Sequence, residues 1–474
     1  MGNRHGVAIT QTRSTSSEAR RTMSHEPANP YRTPQAPGKL FAERPTKFRW
    51  VVFLLGCSTS WMMYLHRYVF SMIKPRLSDA GVSESELGML DSVFAICYVS
   101  FQIPSGVIAD VFGAHLYLTA AIAVWSLALA MHTIPGFGPL SVGRGLMGAA
   151  QAGVFAAISR VTRTWFPLSV RTTVQGFMGV FAGRIGGMSA NLIYGTVMLG
   201  LLALSWQTGA LILAGAGIGL ALLFLVLFRS SPRESPFVNE AEAELIEASE
   251  SAASRRKMPF NEMFRRMSPR SIANLLAVTL SAFLSTMADN LYSNWIPLFL
   301  YQVYQLKFTE MGIYSALPLL GGAIGGVVGG YFNDLLLRKL TKRRWARSLV
   351  GLIGKCGAAI WLGVALLFYD NPYAFCLMLV VVKFFADMEV ATRWGTVTDI
   401  AGPATASVFS FNNSVAAIGQ VVAPLLFGFV AQLASWHMVF LIAMGIYALG
   451  GLTWLVTNST IPLIREDDET TSAA

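Results

Sequence analysis

The run Trp50-Val-Val-Phe-Leu-Leu-Gly-Cys-Ser-Thr-Ser-Trp-Met-Met-Tyr-Leu-His-Arg-Tyr-Val-Phe-Ser-Met-Ile73 decides what kind of chain this is. At ~1.5 Å per residue it is long enough to cross a hydrocarbon core of ~30 Å, yet it holds a fixed cation, Arg67. Insertion scales put roughly 2.5–3.5 kcal/mol on an arginine at the centre of a membrane helix, so such a residue faces protein or a watery cavity. The plainer alternative is an arginine that snorkels to the nearer surface. The first reading points to a path for anions.

Runs of similar length recur near 50–73, 88–109, 115–134, 139–160, 173–199, 206–228, 272–300, 310–333, 347–369, 374–398, 407–432 and 436–458. With 54% hydrophobic residues, 13% charged residues and a mean hydropathy of +0.51, the composition excludes an ordinary soluble protein. It predicts an all-α membrane protein of twelve transmembrane helices.

Charge gathers at the ends and in the middle. Nine Lys or Arg precede Trp50, and the cluster Arg338-Lys-Leu-Thr-Lys-Arg-Arg344 follows the eighth run. The segments predicted to lie outside, such as His132 to Pro139 and Tyr369 to Tyr373, carry neither residue. The positive-inside rule then predicts cytoplasmic termini and a multi-pass protein of the plasma membrane, the inner membrane of a bacterium. The formal charge of +10 follows from that topology, and no nucleic acid partner is expected. Residues 1–48 read as a disordered cytoplasmic tail, 49–229 as a first six-helix bundle and 230–270 as a cytoplasmic connector, acidic and then basic and amphipathic, lying on the inner surface. Residues 271–460 read as a second six-helix bundle and 461–474 as a cytoplasmic tail. Cys57, Cys97, Cys356 and Cys376 lack metal spacing and read as buried free thiols.

The two bundles look duplicated. Gly106-Val-Ile-Ala-Asp110 closes the second run and Gly330-Tyr-Phe-Asn-Asp334 the eighth, 224 residues later. Pro75 and Pro297, offset by 222, are predicted to end the first and seventh runs, and this alignment sets Arg67 opposite Asp289. Duplication of this kind builds a central site between two halves. Gly179, Gly183 and Gly187 in one half, and Gly321, Gly325 and Gly329 in the other, predict flat faces that slide against each other as the halves rock.

Further elements recur in a telling order: Tyr64-Leu-His-Arg-Tyr-Val-Phe-Ser-Met-Ile-Lys-Pro75; Gly106 to Asp110 with Gly113; Arg144-Gly-Leu-Met-Gly-Ala-Ala-Gln151; Arg160-Val-Thr-Arg-Thr-Trp-Phe-Pro167 with Arg171. Trp295-Ile-Pro-Leu-Phe-Leu300, Trp394-Gly-Thr-Val-Thr-Asp-Ile-Ala-Gly-Pro403 and Ser410-Phe-Asn-Asn413 follow. Over about residues 48–460 the chain resembles the major facilitator superfamily, and within it the anion:cation symporter family of organic anion transporters. Its Tyr-x-x-Arg-x-x-Phe pattern is also similar to that of the organophosphate:phosphate antiporters. The resemblance implies two pseudo-symmetric six-helix halves that carry a small organic anion, such as a sugar acid, by alternating access. It further implies a coupling proton or sodium ion, no cofactor, and a monomer in the lipid bilayer.

By that resemblance Arg67 contacts the substrate carboxylate, a role its planar, always-charged fork suits. Arg144 and Gln151, seven residues apart, share a helix face; the related pattern usually has a proton-carrying glutamate at the second position. The aspartate common beside the first-run arginine is His66 here, a residue able to load a proton or simply to pack. Asp289 is the predicted coupling acid, in a switchable pair with Arg67 or in a permanent salt bridge. The tenth run predicts two (i, i+4) pairs, Lys383 with Asp387 and Glu389 with Arg393, and Asp387 is a further candidate acid. Arg184 adds a third arginine to a positive wall. Tyr64, Tyr292, Asn294, Asn412 and Asn413 offer hydrogen bonds to substrate hydroxyls, or glue between helices. Asp110 and Asp334 read as gating clamps, the first weakened by His115 where a cation is frequent, the second supplied by Arg338 and Lys339.

No histidine cluster with metal spacing, nucleophile motif or cofactor loop stands out, so neither an enzyme nor a metal site is predicted. A transporter-like sensor that binds without flux is the remaining rival class.

Overall fold

The computed structural model describes residues 44–247, 267–340, 343–401 and 405–463, and these form an all-helical protein of twelve spans. The first span is Arg49–Asp79. The second and third are one assigned helix, Glu84–Met131, broken at Gly113, whose φ of 78° is open to glycine at no steric cost. The fourth joins Phe137–Gln151 to Val154–Trp165, the fifth covers Leu168–Leu201, and the sixth is Trp206–Leu227. A connector helix, Glu240–Glu247, precedes the seventh span, Pro269–Tyr304. Phe308–Lys339, Arg343–Leu366, Pro372–Ala401, Thr405–Leu433 and Trp436–Val456 complete the second half.

Local chemistry sets the ends. The second span starts on a capping box in which Ser83 and Glu86 exchange side-chain and backbone hydrogen bonds, and Ser205, Ser268 and Ser435 cap three further helices. The fifth span contains two π-helical stretches, Phe177–Phe181 and Ala190–Leu201, and the seventh contains Leu291–Trp295. Such stretches shift helix register and recur at functional sites.

Seven of the described helices are each long and apolar enough to cross a membrane. The spans that fall short are the first, fourth, fifth and tenth. They carry, in turn, Arg67 with Lys74, Arg144, Arg184, and Lys383 with Asp387. The fourth falls short in length, being split into Phe137–Gln151 and Val154–Trp165, while the first, fifth and tenth depart from apolarity through their charges.

Two expectations are corrected. Pro75 and Pro297 do not end their spans: the first helix runs on to Asp79 and the seventh to Tyr304. Membrane helices tolerate interior proline because neighbouring groups satisfy the freed carbonyl. The glycine stripes pack against helices of their own half. A Cβ at Gly183 or Gly187 would strike Tyr64 or Tyr68 of the first span, and one at Gly321, Gly325 or Gly329 would meet the carbonyls of Val380, Phe384 or Met388 in the tenth. Both stripes therefore bring helices of one half close together, the static use of small residues.

The halves touch away from the connector. Ser92 donates to the Val421 carbonyl at 2.8 Å, Gln302 donates to Ser78 and Glu84, Tyr301 donates to Asp79, and Thr196 donates to the Thr309 carbonyl. Gly88 lies against the Pro424 carbonyl and Gly428 against that of Glu84. These contacts seal the far side and leave a cleft open toward the connector. The connector helix itself is tied to the first half. Glu242, fully buried, accepts from the Thr46 hydroxyl and from the backbone N–H groups of Phe48 (2.9 Å) and Arg49 (3.2 Å), capping the first span from almost two hundred residues away. The predicted basic stretch of the connector lies outside the described residues, as do most of both tails.

Candidate functional site

Between the halves lies a cavity of about 680 Å³ that reaches from Asp91 and Arg144 to Trp394 and Phe409. Its cations are Arg67, Arg144, Arg184 and Lys383.

Arg67 stands on the first span with its guanidinium 5.0, 4.8 and 4.9 Å from the rings of Tyr64, Phe94 and Tyr98. The rings offer their negative faces to the cation. Arg67 Nε donates to Gln151 Oε1 at 3.0 Å, while Nη2 is buried without a hydrogen-bond partner. Among the described residues it is the one cavity-lining cation with no carboxylate within ion-pair distance.

Deeper toward the seal, Asp91 is held from two sides. Lys74 Nζ approaches one oxygen at 2.5 Å and Arg144 Nη2 the other at 2.7 Å, all three side chains buried. Lys74 also donates to the Asn294 carbonyl of the second half at 2.9 Å and sits 3.8 Å from the Trp295 ring. In this half Arg67, Lys74 and Arg144 face the single carboxylate Asp91, two positive charges in excess.

The second half is balanced. Lys383 donates to Asp289 at 2.9 Å and to Asp387, and Asp387 takes Arg184 of the first half at 3.2 Å. That last pair is the one ion pair among the described residues that crosses between the halves. Behind it Glu389 is buried with Lys355 at 3.6 Å and Arg393 at 3.7 Å, and accepts from Ser281.

Against the sequence-based expectations, the pairing of Arg67 with Asp289 is not made: Arg67 takes Gln151 and Asp289 takes Lys383. His66 is fully buried and turns away from the cavity, its Nε2 3.0 Å from the Leu213 carbonyl in the sixth span. Tyr64, Asn294 and Asn413 line the cavity. Tyr292 lies behind Lys383, its ring 5.7 Å from Nζ, and Asn412 is buried, donating to Thr279; neither lines the cavity. Asp387 likewise sits just behind the wall. Asp110 does find a cation, because Arg160 of the fourth span pairs with it at 3.0 Å while His115 turns to the Leu225 carbonyl. Asp334 is exposed and has no ion pair to a described residue, in keeping with how little solvated charges gain by pairing.

Lys74 and Asp91 join the site although the sequence-based expectations above do not include them. Each is an ionisable residue inside an apolar run, which is itself the signal. Lys74 was masked by the proline beside it, and Asp91 by its nearness to the start of its run.

The family description "Major Facilitator Superfamily" matches residues 56–403. A probable sulfoacetate transporter of Cupriavidus necator is 25% identical over 429 residues, covering 89% of this chain and 97% of that protein. The hexuronate transporter of Escherichia coli is 25% identical over 439 residues, 89% of this chain and 96% of its own. Among solved structures, a bacterial homolog of the human lysosomal transporter Spinster, inward-facing and occupied, superposes with a TM-score of 0.65 at 16% identity, over 86% of this chain and 94% of that one. A D-xylose-proton symporter gives 0.66 at 15% identity, over 87% and 98%.

Proposed function

The chain belongs to the Major Facilitator Superfamily, and from that premise we propose that it carries a small organic anion, a sugar acid or similar carboxylate or sulfonate, across a bilayer by alternating access. The observation that carries the reading is Arg67: a guanidinium inside a membrane cavity, wrapped in aromatic rings, hydrogen-bonded to a neutral amide and lacking a counter-ion. A half-buried cation of this kind is stabilised by whatever anion enters. The in-plane N–H groups suit a carboxylate or sulfonate edge. Lys74 and Arg144 add the surplus charge that draws anions in. The balanced second half contributes Asn294 and Asn413 as neutral partners for the rest of the ligand. Relatives named for hexuronate, galactarate or D-glucarate, and sulfoacetate fit that class.

The basic N-terminal segment and the cluster Arg338–Arg344 support cytoplasmic termini in a bacterial inner membrane, with the cavity open to the cytoplasm in this state. We read the protein as a monomer, since the cavity is completed within one chain.

The test is a thermal-shift screen of the purified protein against D-glucuronate, D-glucarate and sulfoacetate, followed by uptake of the best binder into proteoliposomes preloaded with the same anion. Saturable uptake lost in Arg67→Gln is the expected result. Binding without flux would make the protein a sensor, and no response to any organic anion would remove the reading.

A further inference from the structure

We propose that this carrier is an obligate anion exchanger, which does not reorient when empty because nothing in the protein neutralises Arg67. The inference rests on the reading of Arg67 as the anion station.

The charged and titratable groups around Arg67 are all committed elsewhere. On its own span, Lys74 is bound to Asp91 and the Asn294 carbonyl, and His66 faces the sixth span. On the second span Asp91 is divided between Lys74 and Arg144, and Arg144 of the fourth span spends Nε on the Leu90 carbonyl. Across the cavity, Asp289 is taken by Lys383, and Asp387 by Lys383 and Arg184. The groups that do touch Arg67 are the rings of Tyr64, Phe94 and Tyr98 and the amide of Gln151, whose own Nε2 donates to the Met63 carbonyl at 3.3 Å. None of them is a carboxylate, and the amide is neutral at every pH.

While the cleft is open, water screens the uncompensated cation. Alternation requires the cleft to close before the far side opens, and an empty closed cavity strands an unpaired guanidinium in a low dielectric. An anion on Arg67 removes that penalty. The loaded carrier therefore crosses and the empty one does not, so each anion carried one way requires an anion carried back. A carboxylate at position 151 would supply the missing counter-charge from within the protein, and Gln151→Glu should free the empty carrier to return.

The experiment uses purified full-length protein in proteoliposomes, with D-glucuronate, D-glucarate and sulfoacetate as probes, each in vesicles preloaded with the same anion and in unloaded vesicles, with and without an inward proton gradient. Expected uptake is about tenfold or more faster into loaded vesicles, with no rise in unloaded ones on adding the gradient; in Gln151→Glu the unloaded rate comes within about threefold of the loaded one. Unloaded wild-type vesicles that fill as fast as loaded ones overturn exchange and leave the anion-carrier reading standing. If none of the probes moves, that reading fails for these anions, and a second measurement still decides the behaviour of the empty carrier. Ser92 is 3% exposed within the far-side seal, so Ser92→Cys reacts with an impermeant maleimide only when that side opens. Without anion, labelling should be about tenfold slower with Arg67 present than in Arg67→Gln; equal rates overturn the proposal.

Discussion

Lys74 and Asn294 stand 220 residues apart on opposite halves, and the Lys74 ammonium donates to the Asn294 backbone carbonyl at 2.9 Å while it holds Asp91 at 2.5 Å. One buried cation thus links the cavity's deepest carboxylate to the seal. Replacing it by Lys74→Met leaves Asp91 with Arg144 as a neutral pair and should cost about 1–3 kcal/mol, whereas Asp91→Asn strands Lys74 and Arg144 as buried cations without a counter-ion and should cost about 3–5 kcal/mol. Thermal unfolding of the two variants in detergent checks this; a larger loss in Lys74→Met than in Asp91→Asn would mean the carboxylate does not serve both cations.

Arg67 tests fork against charge. Arg67→Lys keeps the cation but loses the planar donor set and the Gln151 contact, so KM for the transported anion should rise about tenfold or more, the equivalent of one or two charge-assisted hydrogen bonds. Concentration-dependent uptake reads this directly. An unchanged KM would show that only the charge is used.

Glycine packing within each half predicts a sharp contrast. A Cβ at Gly325 would sit 2.0 Å from the Phe384 carbonyl, so Gly325→Ala should lower stability by about 1–3 kcal/mol. Gly215 has open space around it, and Gly215→Ala should be neutral or raise stability by up to ~1 kcal/mol. The two melting temperatures should move in opposite directions or one should stay still.

Glu242 caps the first span from the connector. Glu242→Ala leaves the N–H groups of Phe48 and Arg49 without their acceptor, at about 1–2 kcal/mol. Trypsin cleavage at Arg44 and Lys47 should quicken, while cleavage at loops of the second half keeps its rate.

The twelve spans and the duplicated halves were readable because apolar length and charge placement follow from the bilayer itself. Arg67 was readable because a membrane cation is rare. The partner of Arg67 was not. Aligning Pro75 with Pro297 sets Asp289 opposite Arg67 by position in the sequence alone, and matching positions in two halves need not face each other. The π-helical stretch Leu291–Trp295 then shifts the register beyond it. Lys74 was hidden for a related reason: reading Pro75 as a helix end puts Lys74 at the membrane surface, whereas the helix continues to Asp79 and buries it. The tenth-span pairing of Lys383 with Asp387 was readable, since (i, i+4) spacing is fixed by the helix alone. Its extension to Arg184 depends on tertiary packing and carries no local signature.

Phe94 and Tyr98, two of the three rings around Arg67, belong to the same helix as Ser85 and Ser92, which close the far side. The second span thus joins the aromatic wall of the anion station to the far-side seal in a single element, so an anion that displaces Phe94 or Tyr98 also strains the Ser85 and Ser92 contacts, and binding is mechanically linked to unsealing through one helix.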